Sequence, residues 1–425
     1  MIIKSMHKLF FFFLTLSLCL NAYSEGLIVQ KIDFHGNKKT KTTYLQSIIN
    51  CKIGERYLAG VLEGDVQRLK NIAGIGNASG RADTLGQAVH LVFTIEEVRT
   101  LLPIIAFGGI RDNVWFQIGM TDINWQGKGQ FLSAHYQNND RRHSGQFNYV
   151  VPYFRDTQWG FRTTISHWES REPLFFPEGT VNYDYDNTSF ALQAIRHFDI
   201  HNRLEFGGSY FVENYAQSEF QFLENPPGPS QFRQPKWLSK IEYNQNYLNY
   251  HAFFIDGFRW LAQWQSVYNT TYSDWFNFGF FQGFYFKRFQ EKGNLAMRLN
   301  LGVSTNNDSP FAPFVVDSHV NIRGVGNRIE RGTAQAVLNI EYRQTVFQTN
   351  LFAGQVVAFS DMGTWRNPGG NFREMLDREN FKHFVGGGAR LIYKKIYGAV
   401  LRIDYGFDLY DRNRRGLVLG LGQYF

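Results

Sequence analysis

The ten residues 294–303, NLAMRLNLGV, alternate apolar and polar side chains with a period of two. Arg298 and Asn300 fall on one side of an extended chain, and the other side carries the apolar residues Leu295, Met297, Leu299, Leu301 and Val303. Side chains alternate between the two faces of a β-strand, so this stretch predicts a strand with one apolar and one polar face. Residues 203–213 repeat the pattern.

Alternation of this kind continues to the end of the chain and predicts about sixteen strands in residues 99–425. The expected ranges are 101–109, 113–122, 129–138, 144–151, 158–167, 188–198, 202–213, 237–244, 258–269, 275–288, 294–303, 333–345, 351–361, 380–394, 397–406 and 416–425. Strands of this length and even number are typical of a transmembrane antiparallel β-barrel.

The connections between these strands fall into two classes. Those after even-numbered strands are mostly short, as at 126–128, 198–201 and 290–293, whereas those after odd-numbered strands are often long, as at 168–187, 214–236, 305–332 and 364–380. Short turns on the periplasmic side and long loops outside are typical of bacterial outer-membrane barrels. The first strand then begins in the periplasm, which places residues 25–98 there.

Composition agrees with a barrel but does not decide it. Aromatic residues make up 17% of the 425-residue chain, and there are 40 glycines. Membrane barrels carry aromatic girdles and modest mean hydropathy, because only every second residue faces lipid. By composition alone, a large soluble β-sandwich remains the alternative.

The N-terminal residues predict export from the cytoplasm. Lys4 and Lys8 precede an apolar run and a small-residue pattern, so residues 1–24 are expected to be a signal peptide cleaved before Glu25. The run is about a dozen residues, short of the roughly 20 that a spanning helix needs. Removing both lysines takes the net charge from +7 to +5, and the positive residues are scattered, which gives no argument for nucleic acid. Cys51 is then the only cysteine, which excludes an intramolecular disulfide.

Residues 25–98 change to a mixed pattern. Strand alternation at 27–34, helical spacing at 42–49 and 57–71, and strands near 75–81 and 89–96 give the order β-α-α-β-β. This segment resembles a polypeptide-transport-associated (POTRA) domain, including a first strand followed by Gly36 and Asn37 and an acidic Asp65 in the second helix.

The C-terminal end also carries a resemblance. Phe425 is preceded on the same strand register by Leu421, Leu419 and Leu417, which is similar to the C-terminal sorting signal of outer-membrane barrels. A POTRA-like domain followed by such a barrel resembles the superfamily of outer-membrane assembly and secretion barrels that includes BamA, TamA and the two-partner secretion transporters.

In that superfamily the sixth extracellular loop folds into the barrel through a Val/Ile-Arg-Gly-Phe/Tyr motif. The stretch HVNIRGVGNRIERG, residues 319–332, matches it at Ile322, Arg323 and Gly324 and has Val325 at the aromatic position. The family motif Phe-x-Asp-x-Gly is present as Phe359, Asp361 and Gly363.

The resemblance implies an ion pair between Arg323 and Asp361 inside the lumen. Strand periodicity independently places Asp361 on the inward face, together with Glu341 on the preceding predicted strand. Arginine suits a buried pair because its guanidinium is permanently charged and can bond a carboxylate with two parallel hydrogen bonds.

The first and last strands would meet at a candidate lateral seam. Gly108, Gly109, Gly420 and Gly422 lie on its two sides. These glycines either weaken pairing along the seam or relieve crowding inside the barrel, and the sequence does not separate the two.

We therefore predict an outer-membrane barrel that assists the insertion, assembly or translocation of other proteins. The expected partners are outer-membrane lipids and unfolded or exported polypeptides bound through the POTRA-like domain, with periplasmic or lipoprotein accessory subunits as further candidates. The alternatives are a dedicated two-partner-type secretion pore and a plain diffusion porin. We expect no metal or cofactor, because the clusters His197 with His201 and Asp140 with His143 lack a third ligand. We also expect no enzymatic activity or catalytic residue, because Ser166 and His167 lie on opposite faces of a strand.

Overall fold

The computed structural model describes residues 27–425 apart from 111–112, 140–141, 156, 177, 220–223, 252, 309–311, 327–328 and 397–398. The expected signal peptide, residues 1–24, lies outside the described residues, as does Asp140. The described chain forms a small α/β domain followed by a closed antiparallel barrel.

The N-terminal domain has the predicted element order. Its elements are β1 (Ile28–His35), α1 (Thr42–Ile48), α2 (Ala59–Lys70), β2 (Ile75–Leu85) and β3 (Ala88–Glu97). Strand β3 lies in the middle of the sheet, parallel to β1 and antiparallel to β2. The outer edge of β2 therefore has no neighbouring strand within the described chain.

Asp65 fixes the connection between the two helices of this domain. Its carboxylate is fully buried, accepts the backbone N–H groups of Asn50 at 2.7 Å and Cys51 at 2.8 Å, and pairs with Arg68 at 2.8 Å. Burial raises the pKa of the Cys51 thiol to about 12, and the neighbouring carboxylate adds to the effect.

Sixteen long strands form the barrel within the described residues, as predicted. They are β4 (Leu101–Ile110), β5 (Asn113–Trp125), β6 (Gln130–Asn139), β7 (Arg142–Val151), β8 (Trp159–Phe176), β9 (Gly179–His197), β10 (Asn202–Gln217), β11 (Gln231–Asn246), β13 (Ile255–Asn269), β14 (Asp274–Phe289), β15 (Gly293–Ser304), β18 (Ala334–Gln348), β19 (Phe352–Arg366), β20 (Phe381–Tyr393), β21 (Val400–Asp408) and β22 (Arg415–Leu421). Strand β22 lies beside β4, so the sheet closes on itself. The described strands therefore form a closed barrel and not the two stacked sheets of the sandwich alternative.

Three short segments complete the strand set. Strand β12 (Asn249–Tyr250) pairs with the start of β13, while β16 (Phe314–Val316) and β17 (Glu330–Gly332) pair with each other. The latter two lie within residues 305–332, which were expected to be loop.

The predicted long loop at 168–187 is wrong for most of its length. Strands β8 and β9 continue through it and stay paired from Trp159 and Arg196 up to Phe176 and Gly179. The prediction failed because the outward side chains there are mostly polar, as at Glu169 and Asp184, while apolar residues such as Leu174 and Val181 are buried on the opposite face. The outward apolar alternation therefore disappears although the backbone ladder continues.

The outer surface of the barrel is apolar over a continuous band. Large hydrophobic side chains are exposed on strands all around it, including Ile165, Phe190, Leu192, Trp237, Ile241, Leu299, Val356, Leu401 and Leu419. The opposite parity of the same strands carries charged and amide side chains, many of them buried. An exposed apolar band of this extent is unfavourable in water and suits contact with hydrocarbon.

The described part of the chain contains no helix with the length and apolar character needed to cross a bilayer.

The α/β domain is held against one rim of the barrel at two places. Near the turn between β5 and β6, Lys39 Nζ lies 2.7 Å from an oxygen of Asp122, and the Lys41 N–H donates to the Gly127 carbonyl at 2.8 Å. After α2, the Asn71 amide oxygen accepts the backbone N–H of Tyr250 at 3.1 Å. These contacts fix the domain beside the end of the barrel from which β4 starts.

Replacing Asp65 with alanine is expected to destabilise the α/β domain by about 3 kcal/mol, since the backbone N–H groups of Asn50 and Cys51 lose a charged acceptor. Hydrogen exchange on the whole chain should show faster exchange in α1 and α2 with barrel strands unaffected. Asp83 is 49% exposed and pairs with the 71% exposed Arg81, so Asp83→Ala is the matched control with little expected effect. Equal exchange in both variants contradicts the assigned role of Asp65.

Candidate functional site

The candidate site is the loop between β15 and β18, which enters the barrel. After β16 the chain turns inward, and Ile322 and Arg323 are fully buried. Gly324 has φ +90°, and a Cβ there would lie 2.7 Å from the Gly406 carbonyl oxygen on β21. Glycine is required because both the left-handed backbone and the close approach to the wall exclude a side chain.

Arg323 and Asp361 form a bidentate pair. Arg323 Nε donates to Asp361 Oδ2 at 2.8 Å and Nη2 donates to Oδ1 at 2.9 Å, while the Arg323 backbone N–H donates to Oδ2 at 3.0 Å. The Nη1 group contacts the Glu341 carboxylate. All three side chains are fully buried. The structure thus brings Arg323 together with Asp361 of the second motif and with Glu341 of the neighbouring strand.

Two aromatic rings sandwich the guanidinium of Arg323. Its central carbon lies 3.7 Å from the ring centroid of Phe359 on β19 and 4.4 Å from that of Tyr424. Cation–π contacts of this kind are strengthened when water is excluded. Phe359 was predicted, whereas Tyr424 was not, because its position after β22 depends on a turn.

Asn339 on β18 connects the wall to the loop backbone. Its amide donates to Asp361 at 2.8 Å and to the Asn321 carbonyl at 2.7 Å. Arg298 on β15 donates to Asn339 at 2.9 Å and to the Val320 carbonyl at 2.9 Å. The loop is therefore held by its backbone as well as by Arg323.

The charge network extends along the wall beyond the predicted residues. Arg343 donates to Glu341 at 2.6 Å, and Arg390 donates to Glu341 at 3.3 Å and to Asp404 at 2.7 Å. Asp404 also lies 3.8 Å from Arg323. Sequence reasoning missed Arg390 and Asp404, although the inward parity of their strands was a usable signal.

An apolar cluster supports the loop above the ion pair. Ile322 packs with Phe314, Val316, Val337, Trp365 and Phe384, and Val325 lies at its edge. A Cβ on Gly363 would lie 2.6 Å from the Trp365 ring and 3.2 Å from Ile322. Gly363 therefore leaves the space in which Trp365 and Ile322 pack.

The C-terminal residues differ from the expected straight strand. Leu417, Leu419 and Leu421 are exposed on the outer face, but β22 ends at Leu421. Gly422 has φ +84°, and after it the chain turns into the lumen, where the Phe425 carbonyl accepts from Arg343 at 2.9 Å. Phe425 thus lies inside the barrel instead of continuing the outward register, because the left-handed glycine reverses the direction of the last residues.

The candidate seam glycines have different surroundings. Gly108 and Gly109 are paired with Trp115 and Val114 on β5. A Cβ on Gly420 would lie 2.5 Å from the Arg402 guanidinium. Crowding inside the lumen thus accounts for the glycine at 420.

The described residues contain no group of three or more His, Cys, Asp or Glu side chains placed to hold a metal ion. His143 Nδ1 contacts the Tyr136 hydroxyl at 2.6 Å, and His201 Nδ1 contacts the Asn246 carbonyl at 2.8 Å. Ser166 bonds Ser189 at 2.7 Å, away from the His167 ring, which bonds Thr188 at 2.8 Å.

Comparison with known proteins agrees with this architecture. Residues 27–97 match the POTRA family, described as a surface antigen variable number repeat. BamA from Haemophilus ducreyi lacking POTRA domains 1-3 is similar in structure, with TM-score 0.54 and 15% identity over 92% of this chain and 83% of that one. CdiB from Acinetobacter baumannii gives TM-score 0.58 and 12% identity over 94% and 74%.

CdiB from Escherichia coli gives TM-score 0.52 and 8% identity over 93% of this chain and 90% of that one. No curated protein sequence matches the chain. The chain therefore combines a POTRA domain with the barrel fold shared by BamA and CdiB, and the predicted resemblance is confirmed at the level of the fold.

Replacing Arg323 with alanine should leave the barrel closed but release residues 317–326 from the wall. Breaking one partner out of a desolvated ion pair costs about 3–5 kcal/mol, and contact with lumen water reduces that value. Protease cleavage within the loop should increase, while the heat-dependent gel mobility of the folded barrel is retained. Arg323→Lys, which keeps the charge but loses the bidentate geometry, should be intermediate.

Arg414 is the matched control, since it is a loop arginine that is 61% exposed and lies 3.6 Å from Asp411. Arg414→Ala should behave like the unaltered protein. Equal protection of the loop in the Arg323 and Arg414 variants contradicts the anchoring role.

Proposed function

We propose that this protein is an outer-membrane barrel that assists the insertion, assembly or translocation of other polypeptides, with its POTRA domain in the periplasm. The observation that carries the proposal is a POTRA domain docked beside a barrel whose lumen holds an inward loop anchored at Arg323. Acting on polypeptides in this way requires hydrogen bonding and no bond-breaking chemistry.

The filled lumen argues against a plain diffusion porin. The loop between β15 and β18 enters the lumen, and the residues after Gly422 turn into it from the end of β22. The two segments contact each other at the Arg323 guanidinium. A diffusion pore needs a permanent aqueous path, which buried side chains in this position obstruct.

The domain at the rim supplies a surface for a client. Strand β2 is an edge strand of the β1-β3-β2 sheet, so its outer backbone groups can pair with an added extended segment. The contact of Asn71 with Tyr250 holds this sheet near the barrel, where a bound segment would meet the outer-membrane lipids or the lumen. Periplasmic or lipoprotein accessory subunits are further candidate partners.

A dedicated secretion pore is the second candidate. CdiB from two organisms and BamA share this fold to a similar degree, so the likeness supports both candidates, and the depletion experiment below separates them.

Depletion of the protein in its bacterium tests the proposal. A general insertase predicts that many outer-membrane barrels lose their folded, heat-modifiable form and accumulate unfolded in the periplasm. A dedicated exporter predicts that one secreted polypeptide is lost while the other barrels fold normally. Complementation should succeed with Arg414→Ala and be impaired with Arg323→Ala, and depletion with neither defect overturns the proposal.

A further inference from the structure

The lumen wall across the barrel from the loop anchor carries a surplus of positive charge. Strands β8, β10, β11 and β13 place Arg162, Arg203, Lys240 and Arg259 on the inward parity, opposite the exposed residues Ile165, Phe206, Ile241 and Phe258. Two inward carboxylates, Glu205 and Glu242, lie near these four cations. The other inward acids of these strands, Glu213 and Glu172, lie further from the POTRA domain and pair with Lys236 and Arg331.

Both carboxylates are already engaged. Arg162 Nε donates to Glu205 at 2.7 Å, and Lys240 Nζ lies 2.7 Å from Glu242. Arg203 and Arg259 form no ion pair within the part of the chain that the structure describes. Two guanidinium groups thus have no carboxylate partner among the described residues, because every inward acid of these strands is paired with another cation.

Buried hydrogen-bond donors without a partner among the described residues lie on the same part of the wall as Arg203 and Arg259. The Nε groups of Arg203 and Arg259 and the Nδ2 group of Asn244 are buried and make no hydrogen bond among the described residues. The Asn244 side chain belongs to a residue that is 3% exposed. Buried polar groups are almost always hydrogen-bonded, so three unpaired donors together call for an acceptor.

The strand register brings these donors together. Arg203 on β10 is directly opposite Asn244 on β11, and Arg259 on β13 is opposite Asn246, two residues further along β11. Asn244 and Asn246 share one face of β11, so the two arginines flank Asn244 from either side. The three residues lie near the strand ends that face the POTRA domain.

We propose that Arg203, Arg259 and Asn244 form an anion-binding site on the lumen wall that takes a carboxylate or phosphate group. Guanidinium groups match both anions through paired, charge-assisted hydrogen bonds, and the Asn244 amide supplies a neutral donor between them. The anion comes either from an acidic side chain of a polypeptide entering the lumen or from free inorganic phosphate. On the β18–β21 side, Arg323 and Arg390 are paired with carboxylates, and Arg402, whose Nε and Nη1 make no hydrogen bond among the described residues, lies 3.5 Å from the Asp404 carboxylate.

Thermal unfolding of the purified full-length chain in detergent micelles tests the site with inorganic phosphate as the probe. At constant ionic strength, replacing chloride with phosphate should raise the unfolding temperature, because a ligand of the native state stabilises it by mass action. In the Arg203→Gln/Arg259→Gln double variant the apparent phosphate affinity should fall by about tenfold or more, because tenfold corresponds to loss of one charge-assisted contact and the variant removes two guanidinium groups.

The Arg233→Gln/Arg414→Gln double variant is the matched control, because Arg233 on the outer face of β11 and Arg414 are both exposed and the same two positive charges are removed. It should retain the phosphate effect. An unaltered protein with no phosphate effect beyond chloride, or a double variant with the same effect as the unaltered protein, overturns the proposal.

Asn244→Asp keeps the test decisive if the double variant fails to fold. An aspartate there supplies the missing carboxylate from within, so the unfolding temperature should rise in chloride and the phosphate effect should disappear. A lower unfolding temperature with an undiminished phosphate effect contradicts the assignment.

Octaglutamate and octaglutamine separate the two sources of the anion. Competition with phosphate by octaglutamate alone identifies acidic side chains of a polypeptide as ligands, whereas binding of phosphate without such competition identifies a free anion. This binding assay does not depend on the proposed transport function, which the depletion experiment tests separately.

Discussion

The buried guanidinium of Arg323 is the constraint on which the rest of the barrel interior depends. A permanently charged group with no solvent exposure is tolerated only where carboxylates and hydrogen-bond acceptors surround it. Asp361 and Glu341 meet that requirement, and they can do so only if β18 and β19 are in the observed register. The same interaction requires a loop long enough to reach the wall and a glycine at 324 to let it approach β21.

Aromatic residues complete the anchor from two distant parts of the sequence. Phe359 comes from the strand that carries Asp361, and Tyr424 comes from the segment that turns inward after Gly422. The Tyr424 hydroxyl donates to the Ser318 carbonyl at 3.0 Å, so this segment holds the loop as well as the cation. Release of the loop therefore requires rearrangement of the residues that follow the last strand.

The two sides of the lumen differ in how their charges are balanced. On the β18–β21 side, carboxylates and arginines pair with each other and with the loop, which makes that side a closed structural unit. On the β8–β13 side, Arg203, Arg259 and Asn244 have buried donors that make no hydrogen bond within the described part of the chain. The carboxylates thus lie in one connected network on the β18–β21 side, whereas on the β8–β13 side they leave Arg203 and Arg259 without an ion pair among the described residues.

The sequence alone determined the strand and helix order, because side-chain periodicity reflects the local geometry of each element. It also predicted Arg323, Asp361 and Glu341, since a motif and strand parity sufficed to place them inward. The parts of β8 and β9 within residues 168–187 were not predicted. Two strands can stay paired there without apolar alternation, because the backbone ladder supplies their hydrogen bonds.

Only the tertiary structure decided which inward arginines form an ion pair with a carboxylate and which do not. The pairing of Arg390 with Glu341 and Asp404, and the lack of an ion pair at Arg203 and Arg259 among the described residues, depend on distances between strands that are far apart in the chain. The inward turn at Gly422 was also decided there, since a left-handed glycine leaves no periodic signal in the residues around it.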